Sequence, residues 1–247
     1  MTDPGQRLRS SLTAEQSASA VEFDSPIAME ALRATQVLHA ADQEPFPAPG
    51  RIRVITIANQ KGGVGKTTSS VNLGVALALY GLRTLVIDLD PQGNTSTALG
   101  VDHSVGTPSV YDALVGDSSL AEVVHPTTAT PLLDCVPATI DLAGAEIELV
   151  SVVAREYRLR RAIETYLQEL PPEQRPYYVL IDCPPSLGLL TLNALVAGDE
   201  VLIPIQCEYY ALEGLGQLLN NIDLVRAHLN PGIAVRTILL TMYDGRT

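Results

Sequence analysis

The stretch Arg53–Thr68, RVITIANQKGGVGKTT, decides the fold of this chain. Its first part, Arg53–Ala58, is an apolar run rich in β-branched residues, which is typical of a buried strand. Its second part is a glycine-rich loop that leads into a helix predicted over Thr67–Leu79, and Gly81 follows as the stop signal for that helix. A strand, a glycine-rich loop and a helix in direct succession form the local unit of an α/β fold.

The loop has the composition of a phosphate-binding loop. Glycines let backbone N–H groups close around phosphate oxygens, and the N-terminus of the following helix favours negative charge. We therefore predict a site for Mg-ATP in which Lys66 reaches the β- and γ-phosphates and Thr67 places its hydroxyl on Mg²⁺. The predicted nucleotide-binding residues are Lys61, Gly62, Gly63, Val64, Gly65, Lys66, Thr67 and Thr68.

The loop departs from the usual pattern at its start. Gln60 occupies the place of the first glycine, and an additional lysine, Lys61, follows it, so the motif is a deviant Walker A loop. Lys61 and Lys66 are the only two lysines of the chain, and every other basic residue except histidine is arginine. An ammonium is a compact point charge that fits a narrow loop better than the arginine fork.

The alternation of strands and helices continues along the chain. It predicts a P-loop NTPase-like α/β fold, with a mainly parallel sheet and helices on both faces. Residues 1–50 are predicted to be an extension, largely disordered or with one short helix over Ile27–Ala40, and residues 51–247 an ATPase domain. The later strands are predicted at Arg83–Asp90, Pro131–Ala138, Tyr177–Pro185, Glu200–Ile205 and Val235–Met242, and the main helices at Ala143–Val153, Glu156–Leu170 and Ala211–Leu229.

Carboxylates end two of the predicted strands. Asp182 ends YYVLID, where a carboxylate of a P-loop enzyme holds Mg²⁺ through water. Asp90 in DLDPQGN is predicted to orient or activate the attacking water, or to bind a Mg²⁺-bound water. For Asp88, a catalytic role and the capping of nearby N–H groups remain equally open. Ligands of parallel sheets bind beyond the carboxyl ends of the strands, so these residues should converge on the loop.

The bulk composition limits the class of protein. Hydrophobic residues make up 46% and charged residues 18% of the chain, which is a globular balance. No apolar run approaches the ~20 residues of a membrane helix, and the N-terminus lacks the apolar region of a secretory signal, so we expect a cytoplasmic protein without membrane contact. Cys135, Cys183 and Cys207 have the spacing of neither a zinc site nor a redox pair, and we expect buried thiols. The net charge of −12 means that any DNA contact needs a local basic patch.

Several further segments carry a family resemblance. NQKGGVGKTTSSVNLG, LVIDLDPQGNTSTALG, LAGAEIELV, LIDCPPSLGLLTLNAL and IPIQCEYYALEGLGQLL occur together in this chain. From about Ile52 to Thr247 it resembles the ParA/Soj ATPases of chromosome and plasmid partition, within the larger group that includes MinD. The resemblance implies a weak, partner-stimulated ATPase that forms a homodimer with ATP, binds DNA without sequence preference, associates with the nucleoid and is stimulated by a ParB-type centromere-binding protein.

The resemblance also implies roles for individual residues. Lys61 matches the signature lysine, which would cross the dimer interface to the γ-phosphate of the other subunit, and Gly62 would face that interface. Asp90 matches the switch I aspartate needed for hydrolysis, and Asp182 matches the Walker B aspartate. The catalytic set is then Lys61, Lys66 and Asp90, and the metal set is Thr67, Asp90 and Asp182.

Two arginine sites are open for DNA. Arg246 in TMYDGRT matches an arginine of the family that contacts the phosphate backbone, and the alternative to this favoured role is a solvated loop residue. The second is a cluster that could instead pair with Glu156 and Glu164. Its members are Arg155, Arg158, Arg160 and Arg161.

Alternatives to partition remain. One is a MinD-like membrane- or pole-positioning ATPase, and another is a non-catalytic ATP-binding regulator. Members of the resembled family continue for some tens of residues after the position of Thr247, with a Pro-Arg segment near the adenine. We therefore expect the domain to be C-terminally truncated relative to the family.

Overall fold

The computed structural model describes residues 45–208 and 211–244 of the chain. These residues belong to a unit that spans Gln43–Thr247. The short helix predicted at Ile27–Ala40 and the predicted DNA contact Arg246 lie outside the described residues. The described chain is packed on the domain from its start, because the ring of Phe46 stacks on that of Tyr80 with their centroids 4.1 Å apart.

The described strands form one sheet of seven strands in the order β3-β4-β2-β5-β1-β6-β7. All neighbours are parallel except β3, which runs antiparallel to β4. The predicted mainly parallel sheet is therefore confirmed. The strands are β1 (Arg53–Ile57), β2 (Thr84–Asp88), β3 (His125–Pro126), β4 (Leu133–Val136), β5 (Tyr178–Asp182), β6 (Glu200–Gln206) and β7 (Ala234–Thr241).

The helices connect these strands. They are α1 (Lys66–Leu79), α2 (Asn94–Ala98), α3 (Val110–Leu114), α4 (Leu120–Val123), α5 (Leu142–Glu148), α6 (Arg158–Glu169), α7 (Leu189–Ala197) and α8 (Ala211–His228). The short helices α3 and α4 begin in capping boxes, in which Asp112 and Glu122 accept the backbone N–H groups of Ser109 and Ser119.

One predicted helix was wrong in its extent, and the predicted burial of the thiols was wrong for one of the three. The helix predicted over Ala143–Val153 ends at Glu148 and continues only as a 3₁₀ turn, because Val152 is extended and Ala154 adopts a left-handed φ of 53°. Adjacent β-branched valines at this point disfavour a further helical turn. The expectation of buried thiols holds for Cys135 and Cys183, whereas Cys207 is exposed because it follows the end of β6.

The strands divide their side chains between two hydrophobic clusters, one on each face of the sheet. Along β5, Leu180 joins the cluster under α1, whereas Val179 and Ile181 join the cluster formed with α6 and α7. A Cβ on Gly74 of α1 would approach Val86 Cγ2 to 2.9 Å, so this helix lies close against β2. Burial on both faces confirms the layered α/β arrangement and places the loops at the strand ends.

The register of the central strands brings the predicted carboxylates together. Asp88, the last residue of β2, lies opposite Asp182, the last residue of β5, and Asp182 also pairs with Ile57 at the end of β1. The phosphate-loop sequence starts just after β1, at the same carboxyl ends of the strands. None of the helices that the structure describes is both long and apolar enough to traverse a lipid bilayer.

Candidate functional site

The glycine-rich loop between β1 and α1 has a conformation that its sequence requires. Gly63 and Gly65 have φ angles of 72° and 91°, in the left-handed region that favours glycine. A Cβ built on Gly62 or Gly63 would meet nothing within 4 Å, so their backbones border open space. Of the described side chains, none caps the first turn of α1. Its N–H groups remain available to an anion.

The loop borders a cleft of about 380 Å³. One side of the cleft carries Lys66, Thr67 and Thr68, and the segment after β2 contributes Asp90. The remaining lining residues are Gly62, Gly63, Gly65, Gln92, Asn94, Pro185 and Met242. The structure thus brings most of the predicted nucleotide residues and the predicted hydrolytic aspartate to one cleft of the size that small ligands occupy.

Lys66 is the cation of this cleft. Only 7% of the residue is exposed, and its Nζ donates a hydrogen bond to the carbonyl oxygen of Lys61 at 3.2 Å. Burial lowers the pKa of Lys66, and the negative charge of Asp182 opposes that shift. A partly desolvated ammonium of this kind gains most from an anionic ligand, because water no longer screens the interaction.

Asp182 lies behind Thr67 and is fully buried. Its Oδ2 accepts hydrogen bonds from Thr67 Oγ1 at 2.9 Å and Thr95 Oγ1 at 2.7 Å, and its Oδ1 accepts one from Ser70 Oγ at 3.0 Å. Burial raises the pKa of Asp182, and the hydroxyl donors partly offset this effect. Because the Thr67 hydrogen points to Asp182, the lone pairs of the Thr67 oxygen are left for an ion in the cleft.

The two aspartates around the end of β2 have different environments. The Asp90 carboxylate lines the cleft and accepts a hydrogen bond from Gln92 N at 3.1 Å. Asp88 is fully buried and accepts bonds from Asp90 N at 3.1 Å, Ser96 N at 2.9 Å and Ser96 Oγ at 2.8 Å. Of the two roles left open for Asp88, the structure shows the capping of backbone N–H groups.

Lys61 is held by its own chain. Its Nζ lies 2.9 Å from Glu208 Oε2 and 3.2 Å from Gln206 Oε1, both just beyond or at the end of β6. Both members of the ion pair are partly exposed, with 39% of the Lys61 side chain and 50% of the Glu208 side chain accessible. Among the described residues that line the cleft, Lys66 is present and Lys61 is not.

The residues of this cleft suit a divalent ion that also binds phosphate and water. The described residues contain no group of three His, Cys, Asp or Glu side chains arranged to hold a metal by themselves. Thr67 and Asp90 line the cleft, and oxygen ligands of the kind they carry suit Mg²⁺, which usually keeps water and phosphate oxygens as its other ligands.

Sequence reasoning missed several residues of the site. Thr95 and Ser70 bind the buried Asp182, Ser96 binds Asp88, and Thr241 Oγ1 donates to Val64 O at 2.9 Å and so braces the loop from β7. The hydroxyl-rich run NTST shortly after DLDPQG was the available signal for Thr95 and Ser96. No local pattern links Thr241 to a loop far earlier in the chain.

Three of the four arginines of the cluster make hydrogen bonds within the fold. Arg155 pairs with Glu156 at 3.1 Å, and Arg160 pairs with Glu164 at 2.8 Å. The guanidinium of Arg158 donates to the carbonyl oxygens at the end of α3 and in the turn after it. Of the two alternatives for this cluster, the structure shows pairing for Arg155 and Arg160.

The chain is similar to proteins of known families. The AAA domain family matches residues 52–235. The sporulation initiation inhibitor protein Soj of Bacillus subtilis is 55% identical over 195 residues, which cover 79% of this chain and 74% of Soj. The chromosome partitioning protein ParA of Caulobacter vibrioides is 51% identical over 195 residues, which cover 79% of this chain and 71% of that ParA.

Solved structures share the fold. A Mycobacterium smegmatis structure described as cobyrinic acid a,c-diamide synthase with bound ATP analog and magnesium has a TM-score of 0.72 and 43% identity, covering 79% of this chain and 77% of that chain. A putative plasmid partition protein of Borrelia burgdorferi bound to AMPPNP has a TM-score of 0.65 and 26% identity, covering 79% of this chain and 78% of that chain.

Proposed function

The chain belongs to the ParA/Soj family of P-loop ATPases, and from that premise we propose that it dimerises with ATP, binds DNA without sequence preference and drives chromosome or plasmid partition with a ParB-type partner. It is an ATPase, and its cofactors are ATP and Mg²⁺. The observation that carries the proposal is the joint placement of Lys66, Thr67 and Asp90 around one cleft, with Asp182 directly behind Thr67.

Each of these groups has a role in hydrolysis that its surroundings support. The loop N–H groups and Lys66 bind the phosphates, and Thr67, kept in orientation by Asp182, offers its oxygen to Mg²⁺. When bound, the ion neutralises charge on the β- and γ-phosphate oxygens. Asp90 also lines the cleft, and we assign to it the orientation of the attacking water. A residue placed to act on water favours the ATPase over a non-catalytic regulator.

Dimerisation would give the second lysine of the loop, Lys61, its role. Two triphosphates between facing loops need positive charge from both sides, and a homodimer supplies it symmetrically. Lys61 is partly exposed and must leave Glu208 to reach across. We propose that ATP in the partner subunit offers the stronger anion. The open space around Gly62 supports this arrangement, because the loop backbone there is free to approach a second subunit.

The dimer is tested by Gly62→Val. A side chain at this position meets nothing within 4 Å of its Cβ in the monomer, and the φ of Gly62 is not in the left-handed region. We expect the variant to remain monomeric in light scattering at saturating Mg-ATP, whereas the parent doubles its mass, and a titration with a fluorescent ATP analogue establishes that the variant is loaded. Gly216→Val on α8, which also has open space, is the control and should dimerise. Dimer formation by Gly62→Val would contradict an interface at Gly62.

DNA binding is tested with duplexes of unrelated sequence. We expect a mobility shift that requires Mg-ATP and weakens steeply with salt, because phosphate contacts release counterions. The net charge of −12 makes a local basic patch necessary. Arg246→Ala should weaken the shift equally for all sequences, whereas the already paired Arg160 should matter less. Binding that is independent of ATP would contradict the proposed cycle.

The partner is proposed on the same family grounds. A ParB-type protein is expected to stimulate the weak hydrolysis and so release the ATPase from DNA, which accounts for an association with the nucleoid that depends on nucleotide. Steady-state turnover with and without the partner, in the presence of DNA, measures this effect. The relatives named for chromosome partition favour this cycle over MinD-like positioning on a membrane.

A further inference from the structure

Two adjacent hydroxyl residues of α2 reach the two buried carboxylates of the sheet. Asp88 and Asp182 are register partners at the ends of β2 and β5, and both are fully buried. Thr95 Oγ1 donates to Asp182 Oδ2 at 2.7 Å, and Ser96 Oγ donates to Asp88 Oδ2 at 2.8 Å. Both hydroxyl residues are themselves fully buried. Consecutive residues of the helix thus contact carboxylates on two neighbouring strands.

The helix α2 depends on these contacts. It has five residues, and its N-cap residue is Gly93, which has no side chain that could cap the first turn. A helix of this length is unstable without tertiary contacts, because nucleation of the first turn is unfavourable. Ser96 N adds a bond to Asp88 at 2.9 Å, and Ser96 Oγ also accepts a bond from Ala138 N at 3.1 Å.

The same carboxylates touch both sides of the cleft. Asp182 Oδ2 accepts from Thr67 of α1 and from Thr95 of α2, so a single oxygen joins the phosphate-loop helix to the segment that follows Asp90. Asp88 accepts the N–H of Asp90 itself at 3.1 Å. A displacement of Thr67 toward a bound ion therefore changes the position of the acceptor that Thr95 shares.

We propose that Thr95 and Ser96 are positioning residues of the ATPase, which tie the Asp90 segment to Asp182 and Asp88 and so transmit occupancy of the nucleotide cleft to Asp90. The inference rests on the proposed hydrolysis at this cleft. It concerns neither DNA nor the ParB-type partner, so it stands or falls independently of partition.

The test replaces the hydroxyl of Thr95 by a methyl group. Thr95→Val keeps the shape of the side chain but removes the bond to Asp182. We expect a single-turnover rate lower by about tenfold or more, since hydrogen bonds to charged groups are the strong ones, with an ATP affinity within about twofold of the parent. Thr95→Ser, which restores the donor, should recover most of the rate.

A second readout follows the coupling without hydrolysis. Hydrogen–deuterium exchange of residues 90–98 in the full chain should slow when Mg²⁺ and a non-hydrolysable ATP analogue bind. In Thr95→Val and Ser96→Ala this nucleotide-dependent protection should be lost. Thr97→Val is the matched control on the same helix, because Thr97 Oγ1 bonds the carbonyl oxygen of Gly93 at 3.0 Å and neither buried carboxylate.

The outcomes are distinct. Protection lost in Thr95→Val and kept in Thr97→Val supports the inference, even if the parent proves too slow a hydrolase for rate comparisons. Parent-like protection and rate in Thr95→Val would overturn it. Equal losses in Thr95→Val and Thr97→Val, with a lower melting temperature for both, would also overturn it, because the helix would then have only a structural role. If Thr95→Val fails to fold, Ser96→Ala, which removes the hydroxyl donor to Asp88, gives the decision against the same Thr97→Val control.

Discussion

The two ends of the central strands both contain buried charge, but they balance it differently. At the amino ends, Arg53 of β1 makes two hydrogen bonds to Glu200 of β6, at 2.8 and 2.7 Å, and its guanidinium lies 5.4 Å from the centroid of the Tyr178 ring. At the carboxyl ends, Asp88 and Asp182 lie side by side and take hydrogen bonds from neutral hydroxyl and N–H donors.

The difference separates stability from function. An ion pair with two parallel bonds is complete in itself and contributes to the folded state. Two buried carboxylates with Lys66 as the cation nearby disfavour the charged state, as the raised pKa values of Asp88 and Asp182 indicate. Strongly perturbed carboxylates beside a cleft are typical of a functional site, and here an incoming metal ion would complete the charge balance.

The largest expected effect follows from removing the cation of the cleft. Lys66→Ala should weaken ATP binding by at least about tenfold, because a charge-assisted bond to phosphate contributes about 1.5–3 kcal/mol. Stability should change little, since burial already disfavours the charged ammonium. Titration with a fluorescent ATP analogue measures the affinity. Unchanged affinity would mean that the cleft is not the nucleotide site.

The reverse effect is expected at the amino ends of the strands. Arg53→Ala should lower the free energy of unfolding by about 1–3 kcal/mol, because it leaves the mostly buried Glu200 without its donor. ATP affinity and turnover should stay at the parent values, since this pair lies at the amino ends of the strands, away from the cleft at their carboxyl ends. Urea denaturation and steady-state turnover are the measurements. A variant with parent stability and reduced turnover would reverse the comparison.

The two ends should also differ in their response to pH. Burial raises the pKa of Asp88 from 3.8 to about 7, so the folded state holds a proton that the unfolded chain releases, and the stability from Asp88 falls as pH rises from about 4 to 7. The bond from Arg53 lowers the pKa of Glu200 from 4.5. The stabilising contribution of the Arg53–Glu200 pair is therefore present above the unfolded pKa of 4.5 and is lost as pH falls through the lower pKa of folded Glu200.

Denaturation curves of single variants separate these two contributions. Asp88→Asn should flatten the decline of stability between about pH 4 and 7, whereas Glu200→Gln should lower stability at neutral pH and reduce the further loss in acid. The negative charge of Asp182 also raises the pKa of Asp88. Asp182→Asn should therefore move the midpoint of the Asp88-dependent loss of stability to lower pH without making that loss steeper. An unchanged slope in Asp88→Asn would mean that Asp88 is ionised throughout this range.

The smallest expected effect concerns the exposed pair of the loop. Glu208→Gln should change the free energy of unfolding by less than about 1 kcal/mol, because partly exposed ion pairs contribute little. It should also free Lys61, so that dimers form at lower ATP concentration in light scattering. Asp223→Asn, which breaks the exposed pair with Arg226, is the control and should leave dimer formation unchanged. Weaker dimer formation in Glu208→Gln would assign Glu208 to the interface itself.

Much of the site could be predicted because it is contiguous. The phosphate loop and α1 follow from local rules for glycine, helix starts and apolar strands, and Asp182 follows from its place at the end of an apolar run. The two-residue strand β3 and the five-residue helix α2 escaped prediction, because neither is long enough to show a period. The exposure of Cys207 escaped it too, although the strand predicted at Glu200–Ile205 already ended before that residue.

The sequence by itself determined the loop, the longer strands and helices and the family, because those depend on residues that are neighbours along the chain. Only the tertiary structure decided that Asp88 lies opposite Asp182, that Thr95 and Ser96 reach both, and that Lys61 is held by Glu208. These contacts join segments that are distant in sequence, and strand register rather than local preference sets their distances.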